Sequence, residues 1–185
     1  RMQVDRGEFI LKSAVAELEA ALCTRAQRRH AVCVSSGTAA MMLGLKASGV
    51  GPGDEVIVPA FCYVAAASCV VQVGATPVFA DVDPERFTLA PEAVRSALTT
   101  RTRAVVAAHV FAGLADLPAI ARLLPPRVKL LEDSATAFGA RLDGLPAGSL
   151  GDLGVYSFFP AKPLGGLGDS GVLITDDDEV ATLAR

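Results

Sequence analysis

The sequence predicts a doubly wound α/β domain on a mostly parallel, seven-stranded sheet. Three observations carry that expectation. Short apolar runs recur near 31–35, 55–59, 76–80, 104–109, 128–132, 153–158 and 171–175. They are continuous rather than alternating, as strands covered on both faces must be. Helical patterns separate most of them, and strands that alternate with helices give a parallel sheet sandwiched between helical layers.

Each element has its own local reason. Phe9, Val15, Leu18 and Leu22 form an amphipathic pattern that predicts an opening helix and does not resemble a signal peptide. The run at 31–35 passes through Ser35-Ser36-Gly37-Thr38 into a second apolar helical pattern. The GPGDE turn at 51–55 introduces the next strand. Val56 to Ala80 carries no charge and is long enough to span a bilayer. Pro59, Gln72, Gly74 and Pro77 interrupt it, and acidic pairs rather than basic clusters flank it, so it reads as strand, helix, strand. The PPR break at 125–127 and the glycine-rich stretch at 144–151 are connections. With no repeat and no low-complexity linker, residues 1–185 form one domain.

Composition narrows the class of partner. The chain has 185 residues, 51% of them hydrophobic with few aromatics, so Ala, Val and Leu must build the core. Its formal net charge of −3 argues against a nucleic-acid or anionic-membrane surface, and Arg95, Arg101 and Arg103 read as solvated positions near a helix end. Cys23, Cys33, Cys62 and Cys69 form no CxxC pair. They read as buried free thiols of a cytoplasmic protein rather than disulfides or zinc ligands, and no metal set is expected.

Four segments carry chemistry. In SFFPAKPLGGLGDSG, residues 157–171, Lys162 sits among apolar and glycine residues, where a desolvated amine becomes free to attack a carbonyl. Ser157 stands five residues before it and can turn a hydroxyl toward a phosphate. The bland alternative is a surface lysine in a loop. In VCVSSGTAAMML, residues 32–43, backbone N–H groups and hydroxyls at a helix start make an anion site, or merely an ordinary cap. In VKLLEDSATAFGA, residues 128–140, Glu132 and Asp133 end a strand where open α/β sheets bind ligands. An Asp there can pair with a protonated pyridine nitrogen, while either acid could simply cap the next turn. In PAFCYVAA, residues 59–66, Phe61 and Tyr63 are candidates to face a flat ring.

Taken together, these segments resemble the DegT/DnrJ/EryC1/StrS sugar aminotransferases, pyridoxal-phosphate enzymes of the aspartate aminotransferase fold type. The resemblance also includes GEFI at Gly7, VGPGDEVIVPAF from Val50, GATPVFADVD from Gly74 and the RTRAVVAAHV strand. It implies that Lys162 carries pyridoxal phosphate as a Schiff base and moves the substrate proton, and that Asp133 pairs with the ring nitrogen. It also implies that Gly37, Thr38 and Ser157 hold the phosphate and that Tyr63 stacks on the ring.

Some positions depart from the family pattern. Thr136 stands where Gln is usual and is too short to meet the ring hydroxyl in the same way. Phe138 replaces a common His, Pro163 a usual Asn, and His-Leu-Tyr-Gly appears as His109-Val110-Phe111-Ala112.

The resemblance further implies that residues 1–185 are the cofactor-binding large domain of a longer polypeptide, with the small C-terminal domain outside it. The activity implied is transamination of a keto group on a nucleotide-linked sugar or cyclitol, with glutamate or glutamine as donor. A homodimer or a complementing C-terminal half would complete the site. The competing expectation is a catalytically silent fold or partner subunit. Related sugar dehydratases place His at the lysine position, so Lys162 favours transamination over that chemistry.

Overall fold

The computed structural model describes residues 5, 7, 12–111 and 113–185. Of the expected features, Glu8, Phe9 and Ile10 of GEFI and Ala112 lie outside the described residues. The elements are α1 (Ser13–Ala26), β1 (His30–Val34), α2 (Gly37–Ala47), β2 (Glu55–Pro59), α3 (Ala65–Gln72), β3 (Thr76–Ala80), α4 (Pro91–Ala97) and β4 (Thr102–Ala108). They continue with α5 (Leu117–Ala121), β5 (Lys129–Asp133), β6 (Arg141–Leu142), β7 (Leu145–Pro146), β8 (Leu153–Ser157), β9 (Gly171–Thr175) and α6 (Asp178–Ala184).

Seven strands form one sheet in the order β1-β9-β8-β5-β4-β2-β3. The pairs β2–β3, β2–β4, β4–β5 and β5–β8 are parallel, while β9 runs antiparallel to both β1 and β8. The fold is thus the expected mostly parallel α/β sheet. The continuous apolar runs divide by parity between its two faces. Val56, Val58, Val106, Leu131 and Leu173 pack with Met41 and Leu45 of α2, Val70 of α3 and Val180 of α6. Ile57, Val105 and Leu130 face the other way, against Val94 of α4 and Leu117 and Ile120 of α5. Beside them, Ala31, Val172 and Ile174 meet Leu22 and Ala26 of α1. Each fully buried Leu, Ile or Val contributes about 1.5–3 kcal/mol, which makes this two-sided core the main source of stability.

Several local expectations are corrected. Leu18 is 39% exposed, so the α1 stripe is buried only at its later end. The fourth strand spans Thr102–Ala108 and leaves His109 beyond it. Arg103 pairs with Asp54 at 3.2 Å, and Arg101 binds Glu55, whose side chain is almost fully buried at the start of β2. All three arginines keep the solvated character expected of them, and Arg95 pairs across one helical turn with Glu92 at 3.3 Å. All four cysteines are free, but only Cys69 is fully buried; Cys23, Cys33 and Cys62 are partly exposed. Burial pushes the thiols of Cys33, Cys62 and Cys69 up to about 11. The glycine-rich stretch expected as a plain connection carries β7, and Asp143 and Gly144, both at positive φ, turn the small β6–β7 hairpin at its start. Among the described residues, no helix is long and apolar enough to cross a membrane.

Candidate active site

Three segments converge at one end of the sheet. Gly171, the first residue of β9, pairs with both Val34 at the end of β1 and Ser157 at the end of β8. A methyl group at Gly171 would lie 2.3 Å from the Ser36 carbonyl carbon, and one at Gly37 would lie 2.8 Å from Ser157 Cβ. Only hydrogen fits at either position, so the N-terminus of α2 is drawn against the end of β8.

Ser36 caps α2 by accepting the Ala39 N–H at 3.0 Å. The first helical N–H groups have no partner inside the helix, and the aligned peptide dipoles give this end a positive potential. Ser157 Oγ lies beside it. That oxygen accepts a long bond from Phe159 N at 3.4 Å, so its own proton is free to donate. The result is an anion site with both backbone and hydroxyl donors.

Opposite stands the end of β5. The two acids there have different fates. Glu132 is fully buried away from the cavity, whereas Asp133 faces it and also accepts the Ala135 N–H at 3.1 Å. Asp133 therefore both caps the turn and presents a carboxyl to the cavity. Although part of its surface opens on the cavity, desolvation by the surrounding protein pushes its carboxyl above the ordinary carboxylate range. The Ala135 N–H and the charge of Lys162 oppose that rise without cancelling it.

Lys162 lies in the loop after β8, which is folded back on itself by Lys162 N–H to Phe159 O and Gly166 N–H to Phe158 O, both at 2.8 Å. Among the described residues the only lysine salt bridge is Lys129 with Asp177, so the Lys162 ammonium is not held in an ion pair. Thr136 lies across the floor, where its hydroxyl donates to His109 O at 2.8 Å. That uses its one proton, and it offers the cavity lone pairs only.

A cavity of about 830 Å³ collects Gly37, Thr38, Tyr63, Asp133, Thr136, Ser157 and Lys162 in one lining. That volume suits a small-molecule cofactor with part of a substrate. Phe61, the other aromatic candidate, is not part of it. It joins Phe87 and Phe111 in a separate trio with ring centroids 6.0–6.1 Å apart. Phe138 packs edge-on against Tyr156 at 5.1 Å, beneath Arg25. Asp169 and Phe159 line the cavity without having been singled out in the sequence. Both lie inside the 157–171 segment, and the acid placed just before β9 was the available signal.

The DegT/DnrJ/EryC1/StrS aminotransferase family model matches residues 2–185. A UDP-N-acetyl-3-dehydro-α-D-glucosamine 3-aminotransferase of Acidithiobacillus ferrooxidans is 43% identical over 98% of this chain and 50% of its own length. The crystal structure of Streptomyces venezuelae DesV in complex with a ketimine intermediate superposes with a TM-score of 0.94 at 38% identity, over 98% of this chain and 49% of DesV. NtdA of Bacillus subtilis with bound cofactor PMP gives 0.92 at 30% identity, over 98% and 41%. The chain spans about half the length of the relatives it matches. Its match to the family model along nearly the whole sequence, and its superposition on these structures, mean that this chain belongs to the DegT/DnrJ/EryC1/StrS aminotransferase family.

Proposed function

We propose that residues 1–185 are the cofactor-binding half of a pyridoxal-phosphate-dependent aminotransferase. Its acceptor is a keto group on a nucleotide-linked sugar or cyclitol, and its amino donor is glutamate or glutamine. One observation carries this reading: a lysine outside any ion pair among the described residues, a carboxyl group and a helix-end anion site share one cavity. The residues fit the cofactor. The close approaches at Gly37 and Gly171 draw the N–H groups at the start of α2 against Ser157, whose free proton supplies a further donor for a phosphate. When bound, pyridoxal phosphate supplies an electron sink for the pair released as the substrate Cα–H bond breaks.

The chain's own residues do the rest. The N–H groups at Gly37 and Thr38, with the hydroxyls of Thr38 and Ser157, would hold the phosphate. Asp133 holds a proton on the ring nitrogen, and the positive charge it meets there favours its ionised form. Tyr63, on the cavity lining, would cover one ring face. Lys162 Nζ would hold the cofactor and serve as the base for the substrate's α-proton, general acid–base work worth about 10²–10⁴-fold.

The cavity mouth is apolar and open. Of its lining, Tyr63 is 72% exposed and Phe159 half-exposed. Such a rim suits a covering protein surface, either a second copy or the remaining half of a longer chain. The reading is tested by single turnover. The chain loaded with pyridoxal phosphate and mixed with glutamate or glutamine is expected to release the corresponding 2-oxo acid, up to one equivalent per site. A loaded, folded chain that releases none from either donor would contradict it.

A further inference from the structure

The most deeply buried ionisable pair lies behind the cavity. Glu132 is 0% and His109 3% exposed. Glu132 Oε1 receives His109 Nε2 at 2.7 Å, Ser134 Oγ at 3.0 Å and Gly148 N at 2.5 Å. Its Oε2 receives Leu150 N at 2.7 Å and Gly151 N at 3.3 Å. Five donors converging on one carboxyl group require it to be ionised. On the other side of the ring, His109 Nδ1 accepts the Ala115 N–H at 3.0 Å. A ring nitrogen that accepts an N–H carries no proton, so His109 is neutral with its proton on Nε2.

Neither side chain lines the cavity, but His109 holds the two residues that form its floor. Its N–H donates to Asp133 O at 3.0 Å, and its carbonyl accepts the Thr136 hydroxyl at 2.8 Å. Glu132 precedes Asp133 directly, and Ser134, which bonds Glu132, follows it. The main chain on both sides of Asp133 is thus tied to one ionised group, and the ring of His109 fixes where its own backbone stands.

We propose that the buried Glu132–His109 pair is a positioning device for the cofactor ring: it sets where Asp133 offers its carboxyl and Thr136 its hydroxyl oxygen. The proposal rests on reading Asp133 as the partner of the ring nitrogen. It assigns Glu132 and His109 a role without contact to substrate or cofactor. The cost of losing it is a misplaced Asp133, which leaves the ring nitrogen without its proton.

Two variants of similar size separate this from a purely structural role. His109→Asn keeps an acceptor for Ala115 N–H but is too short to reach Glu132. His109→Gln places an amide N–H near the Nε2 position and retains that bond. The ring-nitrogen resonance of ¹⁵N-labelled pyridoxal phosphate, its Kd and the thermal midpoint are measured on the whole chain. His109→Asn is expected to shift the resonance toward the unprotonated ring and weaken binding about tenfold, the scale of one hydrogen bond to a charged group. His109→Gln is expected to stay with wild type in both. A folded His109→Asn with an unchanged resonance and Kd would overturn the proposal, even if its midpoint fell. Should that variant fail to fold, Glu132→Gln, read the same way, decides.

Failure of the underlying reading is recognised separately, because wild type would then bind no pyridoxal phosphate. In that case the amide resonances of Asp133 and Thr136 in the free chain carry the test. Movement in His109→Asn but not in His109→Gln supports positioning, and no movement in either overturns it.

Discussion

Gly37 and Ser157 approach so closely that a single methyl group on Gly37 would stand 2.8 Å from Ser157 Cβ and 3.3 Å from its Oγ. This contact brings the positive end of α2 and a hydroxyl with a free proton to one place. Gly37→Ala is therefore expected to cost about 1–3 kcal/mol, as overpacking does. Pyridoxal phosphate affinity should fall with it, measured by denaturant midpoint and by spectral titration. Gly171→Ala should be worse, because the obstructing atoms at 2.3 and 2.4 Å are backbone, which cannot rotate away.

Asp133 should trade stability for function. Its folded pKa is raised by burial, so the folded state holds its proton more tightly than the unfolded chain does. Stability contributed by the protonated form is present below the unfolded value of 3.8 and is lost as the pH rises through the folded value. At neutral pH the ionised carboxyl is therefore a burden on the free chain. Asp133→Asn, which keeps an oxygen for the Ala135 N–H, is expected to raise stability by roughly 0.5–2 kcal/mol. The same variant should lose the visible band of the bound cofactor, and both effects are read on one sample by melting and absorbance.

Glu132 should behave in the opposite sense. Burial alone would raise its carboxyl, but the bonds from His109 and from the Gly148 and Leu150 N–H groups outweigh it and hold it below the ordinary range. Its contribution is present above the unfolded value of 4.5 and is lost as the pH falls through the folded value. Glu132→Gln should be less stable at neutral pH by about 1.5–3 kcal/mol, the worth of hydrogen bonds to a charged group. Its stability should also fall less steeply than wild type on acidification below 4.5, as followed by circular dichroism.

Tyr63 separates binding from folding. With 72% of its surface exposed it contributes little to the core, so Tyr63→Ala should change stability by no more than about 0.5 kcal/mol. If its ring covers the cofactor, pyridoxal phosphate should dissociate at least about tenfold faster, a stacking contact of roughly 1–1.5 kcal/mol. An unchanged dissociation rate would remove Tyr63 from the site.

The sheet was legible because its strands are buried on both faces and read as uninterrupted apolar runs. The direction of β9 was not, since GVLIT looks the same running either way. The β6–β7 hairpin escaped because its strands are two residues long, although Asp143-Gly144 is a strong turn pair. Lys162, Asp133 and the α2 turn stood out because each puts a costly or unusual residue at a strand end or in the loop just after one. The Glu132–His109 pair did not, because its members are 23 residues apart and meet only through the β4–β5 register. The left-handed backbones of Phe87 and Phe111, which draw Phe61 into their trio, have no signature in a bulky side chain.

The most direct test uses the chain as it stands, incubated with pyridoxal phosphate, reduced with borohydride and mapped by peptide mass. The expected result is a visible band that disappears on reduction, a pyridoxyl mass on Lys162, and neither signal in Lys162→Ala. A folded chain with no adduct, or with adducts spread over Lys12, Lys46 and Lys129 as much as Lys162, would contradict the assignment of this cavity as a cofactor site.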